Sequence, residues 1–310
     1  MTRPLVSVVI PAHNAAATLG RAIESVLAQT FDDWELIVVD DGSTDATADV
    51  ARRYADSVAL LGTPHVGPGV ARNRGASVAR GEYLAWLDAD DVWYPMKLTK
   101  QVALARSDGW MDLVSANYHY VDEDGRVLGS GFERNGWLMG RIRRTPGKDH
   151  VTFTRDDVPM FIRNGFGATI TMMLRRSLFE RLGGFCNWLR VAEDIHLVMR
   201  AVAASATFGA VCEPLAAYHL RRDSTIRRDA ELSHRETIRA YHDLQIQLRG
   251  YGRSVRRAVA EPLGRAYLDH AVLLTRSGRR WEGFRAAWSS WKVRPNRTAL
   301  SAMVAATMGG

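Results

Sequence analysis

Cysteine is almost absent from this sequence: among 310 residues only Cys186 and Cys212 carry a thiol. Two cysteines build neither a disulfide framework nor a thiolate metal cage, which fits a chain kept in a reducing cytoplasm. Long apolar runs are lacking too, and no stretch approaches the roughly 20 apolar residues that span a bilayer. The first apolar run, Val6 to Ile10, is brief and followed by Pro11, so no signal peptide is expected. Acidic residues are scarce towards the end. From Arg221 onward there are 18 Lys and Arg against 8 Asp and Glu, a local charge of +10; the whole chain carries +7, leaving −3 for residues 1–220. An acidic first part argues against a nucleic-acid-binding catalytic domain, which would present a basic surface. The basic remainder suits an anionic membrane surface or an acidic ligand.

What is present centres on Gly81 to Asp91, GEYLAWLDADD. Tyr83 to Leu87 is a short apolar run, right for a buried strand of a parallel sheet. It stops on Asp88, Asp90 and Asp91, three carboxylates within four residues. Like charges this close push one another's pKa upward, and a hard cation relieves them. Mg²⁺ typically takes one or two carboxylates, with substrate phosphates and water completing the octahedron. A solvated acidic turn would carry the same residues, so the neighbouring segments decide.

Two earlier runs end in the same way. Leu5 to Ile10 leads into Pro11-Ala12-His13-Asn14, and Trp34 to Val39 into Asp40-Asp41-Gly42-Ser43-Thr44-Asp45. Between them, Leu19, Ile23, Val26 and Leu27 recur at helical spacing behind Thr18, a candidate cap. Ser43 or Thr44 is expected to cap a helix through Ala55, Val58 to Leu61 to form a third strand, and Gly67-Pro68-Gly69 to open a helix carrying Arg72. Alternating strands and helices imply a doubly wound, mostly parallel α/β sheet. In such sheets the ligand sits outside the carboxyl ends of the strands. Three motifs therefore converge there.

With these motifs on the page, the chain resembles a family 2 glycosyltransferase of the GT-A fold. The likeness rests on Pro11 and Asn14, the block from Asp40 to Asp45, Ala71-Arg72-Asn73-Arg74-Gly75 and Asp88-Ala89-Asp90-Asp91, in family order through about residue 100. It implies a Rossmann-like nucleotide-binding half and a donor pocket of Pro11, Ala12, Asn14, Asp41, Arg72 and Asp88. A divalent cation, Mg²⁺ or Mn²⁺, would be held by Asp90 and Asp88, with Asp91 assisting. Ile170 to Ser177 reads as a strand running into a helix, with Gly183 or Gly184 suited to its C-cap. The Gly183-Gly184-Phe185 segment followed by Glu193-Asp194 matches the family's catalytic segment, which makes Asp194 the general base and Glu193 its neighbour. An acidic pair at a helix start also complements the helix dipole, whatever its chemistry. His219-Leu220-Arg221-Arg222-Asp223-Ser224 departs from the family's Arg-x-His-x-x-Ser pattern, so either His219 or Arg221 is a candidate for the donor's diphosphate.

The implied reaction is inverting transfer of one sugar from a nucleotide sugar, UDP-linked by family frequency, to a glycan, lipid-linked or small-molecule acceptor. The Gln-x-x-Arg-Trp motif of processive members is missing: Arg280-Trp281 is the only Arg-Trp pair, with Ser277 in place of Gln. A nucleotidyltransferase would need a Gly-rich basic loop after the first strand, where Pro11-Ala12-His13-Asn14 stands. An inactive sugar-nucleotide binder would be expected to have lost Asp90 or Asp194. The organisation read from sequence is a GT-A domain over 1–228 and a basic helical appendage over 229–310. Residues from Asn135 to Asp157 show no periodicity and read as a surface loop. Trp281, Phe284, Trp288 and Trp291 fall on one helix face, to be packed against Leu268, Val272 and Leu273 or laid in a membrane interface. The implied location is cytoplasmic, at the inner face of the membrane if that contact forms.

Overall fold

The computed structural model describes residues 3–107, 109–145, 147–165, 168–221 and 229–308. Val6–Ala12 (β1) is buried at every position, as a strand covered on both faces must be. Leu19–Leu27 (α1), Trp34–Asp40 (β2), Thr47–Arg52 (α2), Val58–Gly62 (β3), Pro68–Val78 (α3) and Tyr83–Trp86 (β4) follow. β1 lies parallel to β2 on one side and β4 on the other, and β2 is parallel to β3. The chain thus builds outward from β1 to β3, then returns to place β4 against β1's opposite edge. That reversal leaves a crevice at the carboxyl ends of β1 and β4.

Val92–Trp93 (β5), Lys97–Ser107 (α4), Leu113–Val121 (β6), Val127–Ser130 (β7), Gly136–Arg143 (α5), His150–Thr154 (β8), Val158–Asn164 (α6), Met173–Arg175 (β9), Arg176–Arg181 (α7), Glu193–Ala204 (α8) and Thr207–His219 (β10) come next. The sheet order is β3-β2-β1-β4-β9-β6-β10-β5, with β7 on β6 and β8 on β10. β9 runs antiparallel to both β4 and β6, whereas β6 and β10 are parallel. The expected doubly wound sheet is present, with antiparallel strands confined to its second half.

Several local expectations change. Thr18 makes no side-chain cap; its hydroxyl turns back to the Ala15 carbonyl. α2 starts at Thr47, because Ser43 and Thr44 are taken by Asn14. The stretch read as a loop after Asn135 contains α5, capped by the Asn135 side chain on the Leu138 N–H, and β8. β8 escaped notice because it is a five-residue edge strand, placed by its antiparallel register on β10.

By backbone contacts the chain forms two compact units. One comprises Met1–Arg155, Phe166–Trp188 and Ala204–Arg221; the other comprises Asp156–Gly165, Leu189–Ala203 and Arg222–Gly310. The first is built on β1, β2, β4 and α1, whose Val8, Ile10, Leu36, Val38, Leu19 and Ile23 share one core. The second gathers Ala230–Gln247 (α9), Arg253–Arg276 (α10), Arg280–Val293 (α11) and Arg297–Met308 (α12), with α6 packed on α10. It also includes the segment bearing Glu193 and Asp194, which the sequence places before residue 228. The tryptophan stripe divides here. Phe284 and Trp291 pack on Ala271, Leu274, Ala287 and Met303, while Trp281 and Trp288 are exposed. Val272, a proposed partner of the stripe, is also exposed.

Candidate functional site

The carboxyl ends of β1 and β2 are tied by side chains that polar loops need. Asn14 adopts a left-handed backbone with φ 48°, a conformation Asn tolerates. Its side-chain oxygen accepts from the Thr44 N–H at 2.8 Å, and its own N–H donates to the Ser43 hydroxyl at 2.9 Å. Pro11 and Ala12 lie inside β1, and the Ala12 carbonyl accepts from the Asp41 N–H at 2.7 Å.

Asp41 is buried. Its carboxylate accepts from the Thr63 hydroxyl at 2.7 Å and from the Val66 and Gly67 N–H groups at 2.7 and 2.8 Å. A carboxylate has about four lone-pair sites, so roughly one remains for a ligand. Asp41 therefore holds the loop from 63 to 67, a role that residue type alone did not disclose. Asp40, which sequence reasoning passed over, is the more exposed of the two and caps the turn through the Ser43 N–H. The same loop stacks His65 on His13, with ring centroids 4.0 Å apart.

The acidic turn after β4 is more structured than a solvated loop. Arg72, buried on α3, reaches the Asp88 carboxylate at 2.6 Å and lies over the Phe185 ring. The Asp91 N–H donates to the Asp88 carbonyl at 3.0 Å, closing the turn. Asp91 itself is buried and accepts the His219 N–H at 2.7 Å. Burial raises its pKa well above the usual carboxylate range, and the charges of Asp88 and Asp90 raise it further. Burial and the Arg21 charge hold the His219 imidazole below its ordinary value. Between the two C-terminal candidates, His219 belongs to the acidic turn, with Nδ1 3.7 Å from Asp91; Arg221 is half-buried just beyond β10. Arg222, Asp223 and Ser224 of that pattern lie outside the described residues. Arg21, unremarked in the sequence, comes within 3.5 Å of the Asp90 carbonyl. It carried no motif signal, because only the turn of β4 brings it close.

The residues fit a hard divalent cation. Their donors are carboxylate oxygens, and the repulsion that Asp88 and Asp90 add to the burial of Asp91 is what a cation would relieve. Among the described residues no three His, Cys, Asp or Glu side chains form a cage of their own. The ion would therefore be shared with substrate phosphates, as Mg²⁺-type sites commonly are.

Gly183 and Gly184 end α7 with φ of 74° and 71°, and their N–H groups bond the Glu180 and Phe179 carbonyls. This closure is the glycine C-cap expected from sequence. Asn73 then clasps Phe185, accepting its N–H at 2.9 Å and donating to its carbonyl at 2.8 Å. In the other unit, Glu193 and Asp194 open α8. Glu193 is buried, Asp194 is half-buried, and an Asp194 oxygen accepts the Ile195 N–H at 2.7 Å.

The model of the family described as "Glycosyl transferase family 2" matches residues 7–183, over half of the chain. The chain belongs to glycosyl transferase family 2. An uncharacterized glycosyltransferase of Rickettsia typhi is 39% identical over 66% of this chain and 61% of its own length. The succinoglycan biosynthesis protein ExoO of Rhizobium meliloti is 35% identical over 74% of this chain and 65% of its own. The chain thus spans about three fifths of the Rickettsia typhi relative. Among solved structures, residues 1–349 of S. aureus TarS in complex with UDP-GlcNAc superpose with a TM-score of 0.69 at 17% identity, covering 97% of this chain and 89% of that one. The mannosyltransferase PcManGT from Pyrobaculum calidifontis, in complex with GDP-Man and Mn²⁺, gives 0.59 at 18% identity, covering 99% and 87%. These likenesses establish the GT-A-type fold of this family 2 glycosyltransferase.

Proposed function

We propose that this family 2 glycosyltransferase moves one sugar from a nucleotide sugar to an acceptor hydroxyl, with inversion at the anomeric carbon. The observation that carries the reading is the convergence of Asn14, Asp40, Asp41 and the Asp88–Asp91 turn at the carboxyl ends of β1, β2 and β4. A nucleotide offers base and ribose donors that carboxylates accept, and a diphosphate that needs positive charge. Pro11, Ala12 and Asn14 shape the floor for the nucleoside, and the one remaining lone-pair site of Asp41 accepts a donor from it. Arg72 orients Asp88, and Arg21 and His219 stand beside the same turn. Asp90 and Asp88 would hold a divalent cation, which supplies Lewis-acid neutralisation of the departing diphosphate.

The acceptor hydroxyl must lose a proton as it attacks. Asp194 is assigned that proton through its place after Gly183-Gly184-Phe185, with Glu193 as its buried companion. A UDP-sugar is the donor we favour, in keeping with the UDP-GlcNAc complex of TarS. The GDP-Man complex of PcManGT makes GDP the second nucleotide to test. The likeness to ExoO, named for succinoglycan biosynthesis, supports a polysaccharide under construction as the acceptor class we favour. Exposed Trp281 and Trp288 beside a basic helical region give that acceptor a surface on which to be met at the membrane's inner face.

The test is a panel of radiolabelled nucleotide sugars, incubated with and without chelator. Slow, metal-dependent release of sugar from one of them is expected, with water standing in for the acceptor. Transfer of a nucleotidyl group from a nucleoside triphosphate would favour the nucleotidyltransferase alternative. Binding without any release under all conditions would favour an inactive sugar-nucleotide binder.

A further inference from the structure

Ala192 is the residue just before the Glu193-Asp194 pair, and its φ is 65°. A non-glycine side chain in that left-handed region is strained, and such strain persists only where the surroundings impose it. Helix α9 supplies contacts on both sides of the strained residue. Upstream, the buried Glu236 accepts the backbone N–H groups of Arg190 and Val191, at 2.6 and 2.8 Å, on one oxygen. Downstream, Asp243 meets the Nε2 of the buried His196 at 2.7 Å. His196 in turn donates its N–H to the Ala192 carbonyl at 3.0 Å, closing the first turn of α8. Glu236 and Asp243 are seven residues apart, two helical turns, so they project from one face of α9. Tyr241, buried on the same helix, is close enough for the Asp194 charge to raise its phenol, whose pKa burial chiefly pushes up to about 12.

From this arrangement we infer that Glu236 and Asp243 are positioning residues, through which α9 of the basic C-terminal region fixes the backbone that aims Asp194. The inference rests on Asp194 being the general base. A carboxylate accepting two backbone N–H groups forms strong, charge-assisted bonds. Movement of a catalytic group by about 1 Å can cost roughly 10²-fold in rate. A helix outside the matched family region therefore contributes to the aim of the catalytic carboxylate.

The experiment compares Glu236→Met, Glu236→Gln, Asp243→Ala and Asp194→Asn in the full chain. It reads amide hydrogen exchange over residues 189–196, UDP affinity, and metal-dependent hydrolysis of the nucleotide sugar selected by the panel. Met fills the same volume without accepting, so exchange over 189–196 should rise and kcat fall about 10²-fold. UDP affinity should stay within about twofold, because Glu236 is not among the residues assigned to the nucleotide. Gln keeps a carbonyl oxygen with two lone pairs and should restore both exchange protection and turnover. Wild-type exchange, or wild-type kcat, in Glu236→Met overturns the positioning role while Asp194→Asn is inactive. Full turnover in Asp194→Asn instead overturns the base reading from which the inference starts. If Glu236→Met does not melt cooperatively, Asp243→Ala decides on the same criteria, since its carboxylate is 29% exposed and tolerates truncation.

Discussion

At the residue scale, several side chains are arranged by burial and charge in ways that composition cannot disclose. Lys97 is the plainest case. It opens α4 fully buried, with Nζ 3.6 Å over the Trp93 ring and no hydrogen-bond partner among the described residues. Burial drives its pKa well below that of an ordinary lysine. A base whose folded pKa is depressed loses stability as pH falls from the unfolded value toward the folded one. Lys97→Met should therefore melt higher than the wild type near neutrality, by a margin that widens as pH is lowered from 10 to 7. Calorimetric melts across that range check it; a margin independent of pH would mean that the ammonium finds compensation on folding. Asp41 teaches the same lesson. The family resemblance implies it as a nucleoside ligand, yet most of its lone pairs are spent on residues 63 to 67. Those contacts span more than 20 residues of sequence and carry no periodic signal.

At the scale of elements, the parallel strands and their acidic ends were legible, because burial on both faces forces continuous apolar runs that stop where the ligand begins. β5 and β8 were not, since two to five residues paired antiparallel at an edge leave no pattern to count. The glycine pair after α7 was legible as a cap, but not the reason it must stay small. A Cβ on Gly184 would lie 2.6 Å from the Asn73 side-chain oxygen and 2.9 Å from Phe179, at a backbone φ of 71°. Gly184→Ala should cost about 1–3 kcal/mol, from the left-handed conformation together with overpacking. Urea unfolding measures the loss; a change below about 0.5 kcal/mol, the range of inconsequential surface substitutions, would show that the Asn73 clasp yields easily. Because that clasp holds Phe185 beside Arg72, the same variant should weaken UDP binding more than Gly183→Ala, whose added Cβ meets nothing within 4 Å.

At the scale of the molecule, an acidic first part and a basic helical part share one chain, and among the described residues no helix is long and apolar enough to cross a membrane. Trp281 is 70% exposed and Trp288 is 41% exposed, so the packing of Phe284 and Trp291 leaves two large aromatics outward. Each Lys or Arg near an anionic surface adds about 1 kcal/mol, and salt weakens that attraction. Co-sedimentation with anionic vesicles at low salt is therefore expected, reduced at high salt, with neutral vesicles, and in Trp281→Ala/Trp288→Ala. Equal, negligible sedimentation in every condition would confine the tail to packing. In the proposed function, some carboxylates hold the donor and one takes a proton. Calorimetric titration of UDP with Mn²⁺ into wild type, Asp90→Ala and Asp194→Asn tests that division most directly. Asp90→Ala should lose most metal-dependent affinity, while Asp194→Asn binds like the wild type and loses turnover by roughly 10²–10⁴-fold. Undiminished binding by Asp90→Ala, with binding lost in Asp194→Asn, would contradict it.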